Sequence, residues 1–207
     1  SSPYNPMINA GAIVVASCLA SEISFDTMLD TIRALCMDPD INLDKKVYHS
    51  EMSHISRNRA IAYLLESKGY IEKNKDVENS LHFYVKMCSL SVTAESLAGL
   101  GLILANDGIH PDTGKRLLSS QAVKIVKTLM FTCGMYDGSG EFAVRVGIPS
   151  KSGVGGGILS VVDGEMGIGI FGPALDKKGN SVAGECVLEY MSHELHLHMF
   201  DPQRHTL

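Results

Sequence analysis

The sequence predicts an α+β protein, a helical region followed by a small antiparallel sheet in a layered α/β arrangement. Three observations carry this. Apolar residues recur at helical spacing in successive segments from residue 6 to residue 133. Residues 158–162 and 166–171 are short apolar runs joined by Asp163-Gly164, a strong hairpin signal. A last helical pattern, capped by Ser181, puts Leu188, Met191, Leu195 and Met199 on an inward face.

Size and composition narrow the function classes. The chain has 207 residues, 45% hydrophobic and 20% charged, enough for one soluble globular domain with a sizeable core. A net charge of −5 with interspersed signs argues against nucleic-acid and membrane partners. The longest apolar run, residues 10–20, is too short to span a bilayer and reads as a buried helix. No signal peptide pattern is visible, and Ser1-Ser2-Pro3 reads as an interior cut. Cys18, Cys36, Cys88, Cys133 and Cys186 are odd in number and lack C-x-x-C spacing. They are expected to be reduced, mostly buried thiols in a reducing compartment.

The elements follow in order. Asn5-Pro6 signals a helix start, with the helix running to about Ala20. Asn9 is its one polar side chain early on, either bonded to nearby backbone or facing a pocket. Ser24 caps a second helix with Met28, Leu29, Ile32 and Cys36 in its stripe. A polar loop covers residues 38–46. Ser50 is the expected cap of a third helix, residues 51–68, closed by Gly69. One continuous helix there would place Glu51, Ile55, Asn58 and Ala62 on one face. Glu51 then either frays into solvent, pairs with Arg57 or Arg59, or joins Asn58 in holding a cationic ligand. Residues 76–88 form a fourth helix with Tyr84 in its stripe, a position more often core than site. Thr93 caps a fifth helix that stops at Asp107-Gly108. Ser119 or Ser120 starts a sixth, ending at Cys133-Gly134. Tyr136 follows that stop beside Gly-rich chain, placed to line a cleft or to cover a core edge. Residues 173–179 are a loop.

Residues 149–162 hold the most informative stretch, with Lys151-Ser152-Gly153 and a run of glycines ahead of the apolar strand. Glycines there allow a ligand or another backbone to approach closely. Lys151-Ser152-Gly153 is similar to the Lys-Thr-Gly element of serine β-lactamases and penicillin-binding proteins. Two other patterns are set aside. Residues 167–172 match G-x-G-x-x-G but run into Pro173 rather than a helix, so they do not bind a dinucleotide. His193 and His196 are one residue short of H-E-x-x-H spacing, although they could share a helix face.

Several segments together resemble the serine-dependent glutaminase family. They are residues 5–14, Ser50-Glu51 with residues 57–60, residues 133–136, residues 141–158, and Leu175-Asp176 with residues 179–181. The ordered set runs along essentially the whole chain and looks more like the bacterial form. The resemblance implies a serine β-lactamase-like fold and hydrolysis of L-glutamine to L-glutamate and ammonia through a serine acyl-enzyme. It implies no cofactor, a homo-oligomer (dimer or tetramer), and a cytoplasmic location, or a mitochondrial one for the animal-type form. By motif match, Asn9, Glu51, Asn58, Tyr84, Tyr136 and Val154 are the glutamine-binding positions, with Tyr136 and Tyr84 as catalytic proton carriers. Lys151 is expected to act electrostatically on the tyrosine or serine.

The family's serine-x-x-lysine belongs upstream of Asn5, and no such motif occurs in these residues. Residues 1–207 are therefore expected to be the C-terminal two-thirds of a single glutaminase catalytic domain, inactive alone. Three other readings stay open: another acyl-serine hydrolase of this fold, a non-catalytic amino-acid-binding module, and a zinc hydrolase using His193 and His196.

Overall fold

The computed structural model describes residue 3 and residues 5–204; Ser1 and Ser2 of the interior-cut reading lie outside the described residues. The chain divides into two compact units. The first takes the chain up to Ala34 and Pro39–Val92, the second Leu35–Asp38 and the chain from Thr93 onward.

The first unit is mostly helical. Its elements are α1 (Asn9–Leu19), α2 (Phe25–Cys36, whose end belongs to the second unit), β1 (Asn42–Leu43), α3 (Lys45–Ser53), α4 (Ser56–Ser67), α5 (Val77–Cys88) and β2 (Leu90–Ser91). Ile13, Ile55, Ala62, Leu65, Ile71, Val77, Leu81 and Val85 form its core. Ser24 caps α2 as expected, and Asp76, expected as the first residue of the fourth helix, is instead the cap of α5; each accepts from an N–H three residues on.

Three expectations here are corrected. The first helix starts at Asn9, not at Pro6. Asn5 Oδ1 instead accepts from Met7 N–H at 2.8 Å, folding residues 5–7 into a turn. Gly11 admits that turn: a Cβ there would lie 2.1 Å from the Asn5 carbonyl oxygen. The helix expected over residues 51–68 is two helices. Asp44, rather than Ser50, caps α3 by accepting from Lys46 N–H and Val47 N–H, and the chain turns at His54-Ile55 before α4. Glu51 and Asn58 therefore do not share one helical stripe. The loop expected over residues 38–46 contains β1, which pairs antiparallel with β2, and the first residues of α3.

The second unit is layered. It contains α6 (Ala94–Ala105), α7 (Ser120–Cys133), a 3-10 turn (Tyr136–Gly138), α8 (Ser139–Arg145), β3 (Ser150–Ser152), β4 (Gly157–Val162), β5 (Met166–Phe171) and α9 (Val182–Glu194). The sheet runs β3-β4-β5, all antiparallel. Residues 158–162 are buried throughout, which is why β4 reads as an unbroken apolar run with one serine. That serine, Ser160, lies 2.7 Å from Ser150 Oγ, which itself donates to the Ile148 carbonyl. On one face, Ile158, Val162 and Ile168 pack with Phe142 of α8, with Val146 just after it and with Leu188 of α9.

On the other face α6 lies directly on the strands. Cβ atoms at Gly167 and Gly169 would come within 2.2 and 1.8 Å of α6 backbone, and one at Gly101 within 2.8 Å of Gly167 Cα. The G-x-G spacing inside β5 thus serves helix-on-strand packing. Neither β3 nor α8 is among the elements that the sequence predicts. The hairpin at Asp163-Gly164 is present as expected, but a second one precedes it. Lys151 and Ser152 lie in a strand of their own, and the glycines after them form a turn.

Leu195 is 51% exposed and Leu197 takes the inward place, because α9 ends at Glu194. The cysteines are free, but only Cys36 is buried, its thiol pushed up to about 11 by burial and then by Asp38. Cys18, Cys88 and Cys186 lie on exposed helix faces and Cys133 is half-buried, so the expectation of mostly buried thiols is corrected.

Candidate active site

Four of the predicted positions lie in the first unit. Asn9 opens α1 and Asn58 lies in the first turn of α4, and their side chains meet: Asn9 Nδ2 donates to Asn58 Oδ1 at 2.8 Å. The contact joins residues 49 apart in sequence. Glu51, in the last turn of α3, is exposed. Tyr84 is half-buried on α5, its hydroxyl hydrogen-bonded to the Cys88 sulfur. Although Cys88 is exposed on its helix face, the partial desolvation of its thiol by neighbouring groups raises its pKa; the Tyr84 bond opposes that and the Glu51 carboxylate adds to it. Tyr84 and Glu51 therefore both act on Cys88, which the sequence singles out only as one of five expected reduced thiols.

Tyr136, Lys151 and Val154 belong to the second unit. Gly134 ends α7 against β3, where a Cβ would lie 1.9 Å from the Ser150 carbonyl oxygen, and Ser152 N–H donates to the Gly134 carbonyl. The chain then turns through Tyr136 at φ 50°, a left-handed backbone that a residue with a Cβ rarely adopts. Such a conformation costs on the order of 1–3 kcal/mol and needs support from its surroundings.

The Lys151 ammonium lies 4.7 Å from the centroid of the Tyr136 ring and donates to the Ser152 carbonyl. Burial holds the Lys151 pKa below its ordinary value, opposed by the charge of Cys133. Val154 is 70% exposed on the turn between β3 and β4. Among the described residues its N–H has no acceptor. Gly179 (φ 95°) brings these groups together: a Cβ there would lie 3.7 Å from both Tyr136 Cε2 and Val154 Cγ1. In the sequence Gly179 closes the loop expected over residues 173–179 and belongs to one of the family motifs, and neither signal points to Tyr136 or Val154.

The histidine pair does not form a site of the predicted kind. His196 follows the end of α9 with φ 53° and bonds Asp201, while His193 pairs with Glu194, so the two do not share a helix face. A separate groove of about 440 Å³ is lined by Arg145, Glu189, His193, His196, His198 and Asp201, among others, and includes none of Tyr136, Lys151 or Val154.

The family model described as Glutaminase matches residues 1–200. The chain belongs to the glutaminase family. It is 51% identical over 201 residues to a glutaminase of Clostridium tetani, and 53% identical over 201 residues to one of Fusobacterium nucleatum. Each alignment covers 96% of this chain but 65% of the relative, so the chain spans about two thirds of their length. A solved Bacillus subtilis glutaminase, in covalent complex with 5-oxo-L-norleucine, superposes with a TM-score of 0.89 at 40% identity, covering 95% of this chain and 70% of its own. The fold is thus α+β, of the serine β-lactamase-like kind, as these glutaminase neighbours share it. Among the described residues no helix is long and apolar enough to cross a membrane.

Burial of Lys151 has a measurable consequence. Its depressed pKa means that the ammonium is less favourable in the folded state than in the unfolded chain. That penalty is present below the folded pKa and fades as pH rises through it toward 10.5. In the full-length protein, Lys151→Met is expected to keep or raise the thermal midpoint at pH 7 while lowering activity. The stability difference from wild type should shrink at pH 10. A midpoint that falls at pH 7 would show that the contacts of the ammonium outweigh its burial.

Proposed function

We propose that this chain carries the glutamine-recognising part of an L-glutaminase, which hydrolyses L-glutamine to L-glutamate and ammonia through a serine acyl-enzyme. The serine and its lysine base are supplied by residues N-terminal to Asn5, so that residues 1–207 are part of one catalytic domain. The observation that carries this reading is the Tyr136 ring, which lies beside Gly179 with Val154 and under the Lys151 ammonium, in a member of the glutaminase family. The covalent adduct described for the Bacillus subtilis relative supports a nucleophilic mechanism.

The residues divide the work by chemistry. Glu51 pairs with the α-ammonium of glutamine, and the amides of Asn9 and Asn58 donate to its α-carboxylate. Attack of the serine on the side-chain amide puts negative charge on the former carbonyl oxygen. The Val154 N–H donates to that oxygen, a contribution worth roughly 3–4 kcal/mol for one well-placed donor. Tyr136 passes the serine proton to the departing ammonia, and Tyr84 assists in holding the substrate. The Lys151 ammonium favours the phenolate character that Tyr136 gains during transfer.

Ammonia and glutamate release by the full-length protein tests the reaction, with a penicillin as the competing acyl donor. Acylation by penicillin without ammonia release from glutamine would place the chain among the other acyl-serine hydrolases. Glu51→Ala tests the pocket. It should raise KM for glutamine about 10- to 100-fold, the range for a hydrogen bond to a charged group. Glu72→Ala, at an exposed position, should leave KM unchanged. Equal KM values for the two variants would remove Glu51 from the site.

A further inference from the structure

We infer that Ser139 and Asn180 are positioning residues that hold Tyr136 in its left-handed conformation and so aim its phenol; the inference rests on the proposed catalytic role of Tyr136. Nothing in the local sequence favours φ 50° at a tyrosine, so the conformation must be imposed by its surroundings. The structure supplies two clamps on the peptide groups flanking Tyr136.

Ser139 provides the first. Its Oγ accepts from Met135 N–H at 3.0 Å and donates to the Tyr136 carbonyl at 2.8 Å. One hydroxyl thus ties together the chain before and after the strained residue. Ser139 is 6% exposed, so water does not readily replace it.

Asn180 provides the second. Its Nδ2 donates to the Met135 carbonyl at 3.2 Å, and the residue is fully buried. The same carbonyl accepts from Gly138 N–H at 3.0 Å, the bond that closes the 3-10 turn. Asn180 is itself fixed by Asp176, whose Oδ1 accepts from the N–H groups of Asn180 and Lys178 at 2.9 Å. Those backbone donors hold the Asp176 carboxyl below its ordinary range, the Asn180 N–H contributing most. Lys178 anchors the loop to α8 through Glu141 at 2.7 Å. Gly138 leaves room for this approach, since a Cβ there would lie 3.2 Å from Asn180 Nδ2. Asp176, Gly179 and Asn180 therefore act as one brace, with Gly179 against the Tyr136 ring and Asn180 against its backbone.

Such residues need not touch substrate, and their loss should appear in kcat rather than in KM. The experiment is a double-mutant cycle in the full-length enzyme, with Ser139→Ala and Asn180→Asp each made alone and with Tyr136→Phe. Each single change is expected to lower kcat about 10- to 100-fold, the scale of a misplaced catalytic group, with little change in KM. Neither should lower kcat further in the Tyr136→Phe background, and Ser139→Thr, which keeps the hydroxyl, should restore most of the activity. The inference is overturned if kcat falls equally with and without the Tyr136 hydroxyl, or if folded Ser139→Ala and Asn180→Asp proteins retain wild-type kcat. Should one variant fail to fold, the cycle with the other decides. If Tyr136→Phe alone leaves kcat intact, the catalytic reading of Tyr136 fails first and the inference with it, an outcome distinct from the others.

Discussion

Replacing Tyr136 by phenylalanine in the full-length protein should lower kcat for glutamine hydrolysis about 10²- to 10⁴-fold, the range of a positioned proton carrier. The substitution leaves the packing of the ring and the backbone clamps in place. The ring stays over the Lys151 ammonium and beside Gly179, and the backbone clamps from Ser139 and Asn180 do not involve the hydroxyl. KM and the thermal midpoint should therefore move little. A pre-steady-state measurement sharpens the test. If Tyr136 delivers a proton to the leaving ammonia, acylation slows, and no burst of ammonia precedes the steady state. A variant with wild-type acylation but slow deacylation would move Tyr136 to the second half of the reaction.

The second large effect concerns stability. Gly169→Ala should destabilise the second unit by about 3 kcal/mol or more, because the added carbon would lie 1.8 Å from the Ala94 carbonyl oxygen and 2.7 Å from Ala98 N. Both obstacles are helix backbone, which no side-chain rotation relieves. α6 must move off β5, and the Gly101 approach to Gly167 then opens as well. Gly155→Ala is the control: its Cβ would meet nothing within 4 Å, so its stability should stay close to wild type. Equal denaturation midpoints for the two variants would mean that the seam accommodates a methyl group.

Much of the layered plan could be read from periodicity and caps. Ser24, Asp76, Thr93, Ser119 and Ser181 each start a helix where the sequence places it, since a side-chain acceptor beside an apolar stripe is a local signal. The failures were also local in cause. The break at His54-Ile55 carries no glycine or proline, so residues 51–68 looked continuous. Short elements such as β1, β3 and α8 fall below the length at which periodicity can be recognised. Of the site, the residue types were legible through the ordered family motifs. The Asn9–Asn58 contact and the brace from Asp176 to Asn180 were not, because they join distant parts of the chain. Even Gly167 and Gly169, which looked like a nucleotide-binding signature, have their meaning only against α6.

The contact between α6 and β5 has a thermodynamic consequence as well. Where Gly101, Gly167 and Gly169 meet, main chain lies on main chain with no layer of side chains between. Docking the helix at these glycines orders no side chain of their own, while Leu97 and Leu159 pack beside the seam. The spacing of helix and strand at these glycines is accordingly limited by the van der Waals radii of backbone atoms, so the seam has little slack to take up an added carbon.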